Sequence, residues 1–190
     1  MPYIEMEMRD RLDPTLEYMQ NVILDHDESE MGDNLCGVLS YVIQGIAKGF
    51  IGETVRYSKI NDIIGAFECC KLETYRRLGK LYVGGDGDVE FRLPSDTEEL
   101  DKVIKAVVFV AQKIEGFEAC RAGILNYVMT IIFLVAYNSR YEFNEDNMCD
   151  VFDFSKQKIY RDVAASYEDD KIKSNGDVYD VRSKTDWEPR

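Results

Sequence analysis

The chain spells out one order of residues twice, and a duplication of this size restricts the available folds more than any local motif. Gly37-Val38-Leu39-Ser40-Tyr41-Val42 returns as Gly123-Ile124-Leu125-Asn126-Tyr127-Val128, and Phe67-Glu68, Lys71, Tyr75 and Arg76 return as Phe152-Asp153, Lys156, Tyr160 and Arg161. Leu12-Asp13 answers to Leu100-Asp101, Arg56-Tyr57 to Arg140-Tyr141, and Gly87-Asp88-Val89 to Gly176-Asp177-Val178. The matches lie 84 to 89 residues apart, too long a period for a solenoid, so the repeated unit is domain-sized. The division that follows is residues 1–91 as repeat one, ending in a Gly-rich linker, 92–180 as repeat two, and 181–190 as a polar tail.

Apolar spacing predicts helices throughout. Asp13 is placed to cap a helix with Pro14 in its first turn, and Leu16, Met19, Val22 and Ile23 share one face of it. A second helix is predicted from about Leu35 to Phe50, with Gly45 and Gly49 marking close packing. Asn61 opens a third, whose stripe Ile63, Ile64, Phe67, Cys70, Thr74 and Leu78 ends near Gly79. In repeat two, Ser95-Asp96-Thr97-Glu98 reads as a capping box opening a helix that reaches Gly116. The most apolar segment, Ile124 to Tyr137, is interrupted by Asn126 and Thr130 and reads as a buried central helix rather than a membrane span. A sixth helix covers about Asn147 to Ala165. The expectation is an all-α fold, two tandem three-helix repeats packed as a pseudo-twofold bundle.

Composition excludes several classes of function. Lys and Arg total 23 against 36 Asp and Glu, a net charge of −13, which opposes a surface built to neutralise phosphates, so no nucleic-acid partner is expected. With His26 the only histidine, and Cys36, Cys69, Cys70, Cys120 and Cys149 lacking Cys-x-x-Cys spacing, neither a metal centre, a histidine-dependent nucleophile nor a disulfide framework is indicated. No catalytic residue, metal or cofactor is assigned. The start lacks the basic and apolar regions of a signal peptide, and a reduced, cytoplasmic protein without a membrane partner is the expectation. Gly84 to Gly87 is not followed by the Lys-Ser or Lys-Thr of a phosphate-binding loop and reads as a linker.

The repeat also sorts the polar residues. Glu73 and Arg77 stand where repeat two has Lys158 and Asp162: the signs exchange while an i, i+4 pair survives, the behaviour of a surface ion pair. Glu68 or Asp153, Lys71 or Lys156, and Tyr75 or Tyr160 keep their chemical type and share one flank of their helix, with Arg76 and Arg161 beside them. Such a set can hold a phosphate or another small anion. It can equally be salt bridges between residues three apart, with a tyrosine covering the seam of the pseudo-dimer.

The chain resembles a family of small proteins, about one repeat long, encoded by tailed bacteriophages and prophages. The resemblance rests on Met1-Pro2-Tyr3-Ile4, Leu39-Ser40-Tyr41 or Leu125-Asn126-Tyr127, Arg56-Tyr57 followed by Asn61-Asp62-Ile63-Ile64-Gly65, Glu68-x-x-Lys71-x-Glu73-x-Tyr75-Arg76-Arg77, and the ending from Tyr167 to Tyr179. It implies a viral origin, an accessory role in the host cytosol, and a single-repeat ancestor that formed homodimers. Repeat one keeps the helix motif and lacks the ending; repeat two keeps the ending, Glu168, Asp169, Lys171, Asn175 and Asp177 included, and has a degraded helix. An ancestral site across a dimer interface would survive once, built from Glu68, Lys71, Tyr75, Arg76 and Arg77 with those five residues, whereas a site within one protomer would now be incomplete in both copies.

The expected function is therefore non-catalytic binding of a host or phage protein, or of a small anionic ligand such as a nucleotide, by a monomeric pseudo-dimer or a homodimer. One alternative is a magnesium-dependent all-α nucleotide pyrophosphohydrolase, whose usual Glu-Glu-x-x-Glu pattern is matched neither by Glu68 to Glu73 nor by Glu98-Glu99. A structural, virion-associated part is the other.

Overall fold

A computed structural model describes residues 4–29, 35–78, 94, 96–139 and 145–176. Among these residues every regular element is helical: α1 Met6–Ser29, α2 Leu35–Ile51, α3 Tyr57–Leu78, α4 Glu98–Gln112, α5 Phe117–Ser139, α6 Glu145–Ile159, a π turn Tyr160–Ala164, and α7 Ala165–Asn175. The all-α, duplicated architecture read from the sequence is the one observed.

Several boundaries differ from expectation, each for a local reason. Helix α1 starts at Met6 and runs through Pro14, so Asp13 is not its cap. Proline there removes one helical hydrogen bond, which the burial of Leu12, Leu16, Met19 and Ile23 on the same helix offsets. Helix α3 begins at Tyr57, placing Asn61 in its second turn. Thr97 stands at the N-cap of α4 without a side-chain cap hydrogen bond, and the preceding Asp96 instead accepts the Glu98 backbone N–H on Oδ1 at 3.0 Å; Ser95 lies outside the described residues. Helix α4 stops at Gln112, and a turn ending at Gly116, with a φ of 75° that favours glycine, launches α5 seven residues before Ile124. The chain stays helical from Glu145 to Asn175, because the π turn passes directly into α7.

The repeats are interleaved rather than side by side. Among α1 to α6 the most extensive packing, α1 with α4, α2 with α6, α3 with α5, α2 with α4, α3 with α6, α1 with α5 and α2 with α5, is between repeats, and α1 with α2, α2 with α3 and α4 with α5 pack less extensively within one. Under a twofold exchange of repeats, α2 on α6 becomes α5 on α3, and α1 on α5 becomes α4 on α2. The core is accordingly a single cluster fed by both repeats. Phe67 and Phe152, equivalent in the two repeats, meet edge to face at 6.4 Å between centroids, and Phe133 packs on Phe152 at 4.3 Å. Helix α2 is buried on most of its circumference, and Gly45 and Gly49 let α4 approach closely, as their spacing anticipated: a Cβ on Gly49 would lie 2.5 Å from Val108 Cγ2. By length and composition Phe117–Asn138 could cross a membrane, but 59% of that window is buried inside the bundle.

Candidate functional site

Of the residues that keep their chemistry between repeats, the acid and the amine of each come together on the seam of α3 and α6. Lys71 donates to Asp153 Oδ2 at 2.6 Å, and Lys156 donates to Glu68 Oε2 at 2.7 Å. These are one contact seen twice, since Lys71 matches Lys156 and Glu68 matches Asp153. Lys156 also reaches Asp153 Oδ1 at 3.0 Å, the bridge three residues apart that the sequence allowed. Burial alone would push the Asp153 carboxyl up, but hydrogen bonds from Lys71 and Lys156 outweigh it and hold the group below its ordinary value. Burial pulls Lys156 down, and Glu68 and Asp153 more than restore it, so its ammonium is held above the usual range. The four groups are half-buried and neutralise one another.

The same contacts fix direction. Lys71 meets Asp153 and Glu68 meets Lys156, so numbering rises on α3 as it falls on α6 and the helices run antiparallel. Arg161 is then level with residue 63, thirteen positions from Arg76, a separation of about 20 Å at 1.5 Å per residue. The two Tyr-Arg pairs therefore stand at opposite ends of the seam rather than in one cluster. Arg76 forms a bidentate pair with Glu73 at 2.6 and 2.7 Å, and Tyr160 and Arg161 are exposed on the π turn. The side chains of Tyr75 and Arg77 lie outside the described residues. Beside Arg161, Asp162 accepts from Lys48 at 2.9 Å and from Lys158 at 3.0 Å.

Antiparallel crossing also separates the two groups proposed to share a composite site. Helix α7 runs straight on from the π turn and has no buried residue, and by the antiparallel register it leads away beyond the N-terminal end of α3, whereas Glu68, Lys71 and Arg76 belong to the C-terminal half of α3. Glu168 is half-buried there, and Asp169, Lys171 and Asn175 are exposed; Lys171 lies over the Tyr167 ring at 5.2 Å. Asp177 lies outside the described residues. The structure thus brings Glu68, Lys71 and Lys156 together and leaves the ending of repeat two apart from them.

Three further polar arrangements escaped the sequence reading, although two used matches already visible there. Tyr41 donates to Asp101 at 2.7 Å and Tyr127 donates to Asp13 at 2.6 Å, again one contact in two copies. Burial first, and Asp13 second, pushes the Tyr127 phenol up to about 12. Inside the bundle, Ser40 and Ser155 hydroxyls hydrogen-bond at 2.8 Å with Gln44 donating to Ser40, and at the equivalent place Cys70 meets Thr130 at 3.4 Å. Burial pushes the Cys70 thiol up to about 12, which leaves it protonated and inert. Arg121 is 3% exposed, donates to Asp62 at 3.0 Å and pairs with Glu118. No repeat match announced it, because repeat one has Leu35 at that position.

Chemically, the arrangement is closed. Among the described residues no group of three or more His, Cys, Asp or Glu is placed to hold a metal ion. Glu98 and Glu99 are engaged by Lys102. An open groove of about 420 Å³ between the end of α2 and the turn before α5 is lined by Phe50, Ile51, Lys59, Gln112, Phe117 and Glu118, with Lys59 donating to the Ile51 carbonyl. It contains one carboxylate and no nucleophile–base pair.

The chain belongs to the family described as a domain of unknown function, DUF6899, whose model matches it twice, at residues 1–85 and 93–178. No match was found among curated proteins or among solved structures.

Proposed function

We propose that this tandem member of the DUF6899 family is a non-catalytic accessory protein, of phage origin and acting in the host cytosol, that binds a protein partner at the π-turn end of its seam. The observation that carries this reading is the reciprocal neutralisation of Lys71 by Asp153 and of Lys156 by Glu68. It turns the residues best suited to acid–base chemistry into parts of the seam, and leaves Tyr160, 53% exposed, and Arg161 pointing outward beside it. Tyrosine and arginine are the side chains that most often anchor protein interfaces, and π turns recur at functional sites. The separation of about 20 Å between the two Tyr-Arg ends, from the helical rise, disfavours one small anion held by both. The phage origin and the cytosolic setting rest on the resemblance of the helix motif and the Tyr167-to-Tyr179 ending.

The test is capture from bacterial lysate by the wild-type chain and by a Tyr160→Ala, Arg161→Ala variant, alongside thermal shift with nucleotides with and without magnesium. A partner retained by the wild type and lost by the variant, with both equally folded, is the expected result. Stabilisation by a nucleotide recovered intact would replace the protein partner with a small anionic ligand. Recovery of a cleaved nucleotide would overturn the non-catalytic reading.

A further inference from the structure

The ion pairs Lys71–Asp153 and Lys156–Glu68 are reciprocal, but two other ion pairs between the repeats are one-sided, and both involve positions where the repeats have diverged. Arg121 of α5 pairs with Asp62 of α3 at 3.0 Å. In the offset that relates Gly123 to Gly37, Arg121 matches Leu35; in the offset that relates Phe152 to Phe67, Asp62 matches Asn147. Lys48 of α2 pairs with Asp162 of the π turn at 2.9 Å. Their matches are Leu134 and Arg77. Each ion pair can therefore form only between repeat one and repeat two.

The alternatives can be written out from the same geometry. Two copies of repeat one joined through this seam would set Lys48 against Arg77, a like-charge encounter, and Leu35 against Asp62, each occurring twice by symmetry. Two copies of repeat two would set Arg121 against Asn147, with an amide where the carboxylate stood, and Leu134 against Asp162. The arginine dominates, because losing one of its two carboxylates at a buried site costs more than losing a pair at the surface. Arg121 is nearly fully buried and its Nε lacks a hydrogen-bond partner; Glu118, on its own helix, stays with it in either pairing, but Asp62 is a carboxylate that only repeat one supplies.

We infer that these divergences are a specificity device: the seam face of each repeat takes the unlike repeat and rejects a second copy of itself. The sign exchange from Glu73 and Arg77 to Lys158 and Asp162 then has a purpose beyond a tolerated surface swap. It places an acid opposite Lys48 while keeping an i, i+4 partner, Lys158, for that acid. Arg121 and Asp62 enforce the same choice in the interior. The interface is heterotypic by charge.

The experiment uses the full chain with a protease site introduced between residues 85 and 93. After cutting in the native state the halves should co-elute as a 1:1 complex. After denaturation and refolding of the cut chain, native mass spectrometry should find unlike pairs to the near exclusion of like pairs. Halves that separate as folded monomers, or like pairs in statistical proportion, would overturn the inference. A second measurement needs no cutting. Asp62→Asn, which puts the repeat-two residue type opposite Arg121, should lower the thermal midpoint by several degrees, and Arg121→Leu in the same chain should return most of that loss. Losses that simply add would show that Arg121 and Asp62 do not discriminate.

Discussion

Replacing Asp153 by Asn removes the charge that Lys71 and Lys156 share, and the structure sets the size of the effect. Asp153 accepts at 2.6 Å from Lys71 and at 3.0 Å from Lys156, with its side chain 31% exposed. A buried charged hydrogen bond contributes ~1.5–3 kcal/mol and an exposed ion pair ~0–1 kcal/mol. A carboxylate one-third exposed falls between them, so the expected loss is ~1–2 kcal/mol, or roughly 3–6 °C in thermal midpoint for a chain of this size. Lys71→Met should be coupled to it by about 1 kcal/mol, because each single change already forfeits the shared interaction. The parallel cycle of Glu68→Gln with Lys156→Met should show weaker coupling, since Glu68 is 44% exposed and Lys156 retains Asp153. Urea denaturation followed by circular dichroism measures both cycles. Acid gives an independent check. Against burial, which raises it, Lys71 and Lys156 hold the Asp153 carboxyl below its ordinary value in the folded state, so its stabilisation is present above the ordinary carboxylate range and is lost as pH falls through the folded value. The gap between wild type and Asp153→Asn should therefore close in acid. Additive single losses, or a gap undiminished well below the carboxylate range, would refute the seam as an electrostatic lock.

Gly49→Ala should destabilise by ~1 kcal/mol, overpacking of ~1–3 kcal/mol less ~1 kcal/mol of helix propensity, because the new methyl meets the stiff branch of Val108 at 2.5 and 3.0 Å. Gly45→Ala meets the flexible end of Ile104 first, Cδ1 at 2.8 Å with the branch methyl Cγ2 at 3.1 Å, and should cost less than Gly49→Ala in the same melt. Tyr127, held at about 12, should ionise late in an ultraviolet titration, and Tyr127→Phe should remove one late step. Its stabilisation is present below the ordinary phenol range and lost as pH rises through about 12. Exposed Cys69 should react promptly with a thiol reagent, whereas buried Cys70 and Cys149 should react only on unfolding, a difference that peptide mapping resolves.

The sequence by itself determined the helical class, the duplication and the retained residue types at Glu68, Lys71, Asp153 and Lys156, because periodicity and the retention of residue type are local properties; that each lysine takes its carboxylate from the other repeat was decided by the tertiary structure. It also marked Gly45 and Gly49 as a place of close approach. It misplaced the start of α1, since cap chemistry at Asp13 and Pro14 argues for a boundary that the burial of Leu12 and Leu16 overrides. Asp13 instead serves Tyr127, a residue 114 positions away. The retained residues looked like one cluster because sequence carries no direction for the crossing of α3 and α6. Only their antiparallel contact sent Arg76 and Arg161 to opposite ends and carried α7 away from Lys71. Arg121 was illegible for the opposite reason: its partner Asp62 lies in the other repeat, and neither is repeated. A repeat comparison finds what symmetry preserves, whereas what symmetry breaking adds becomes visible only when folding brings the unlike halves into contact.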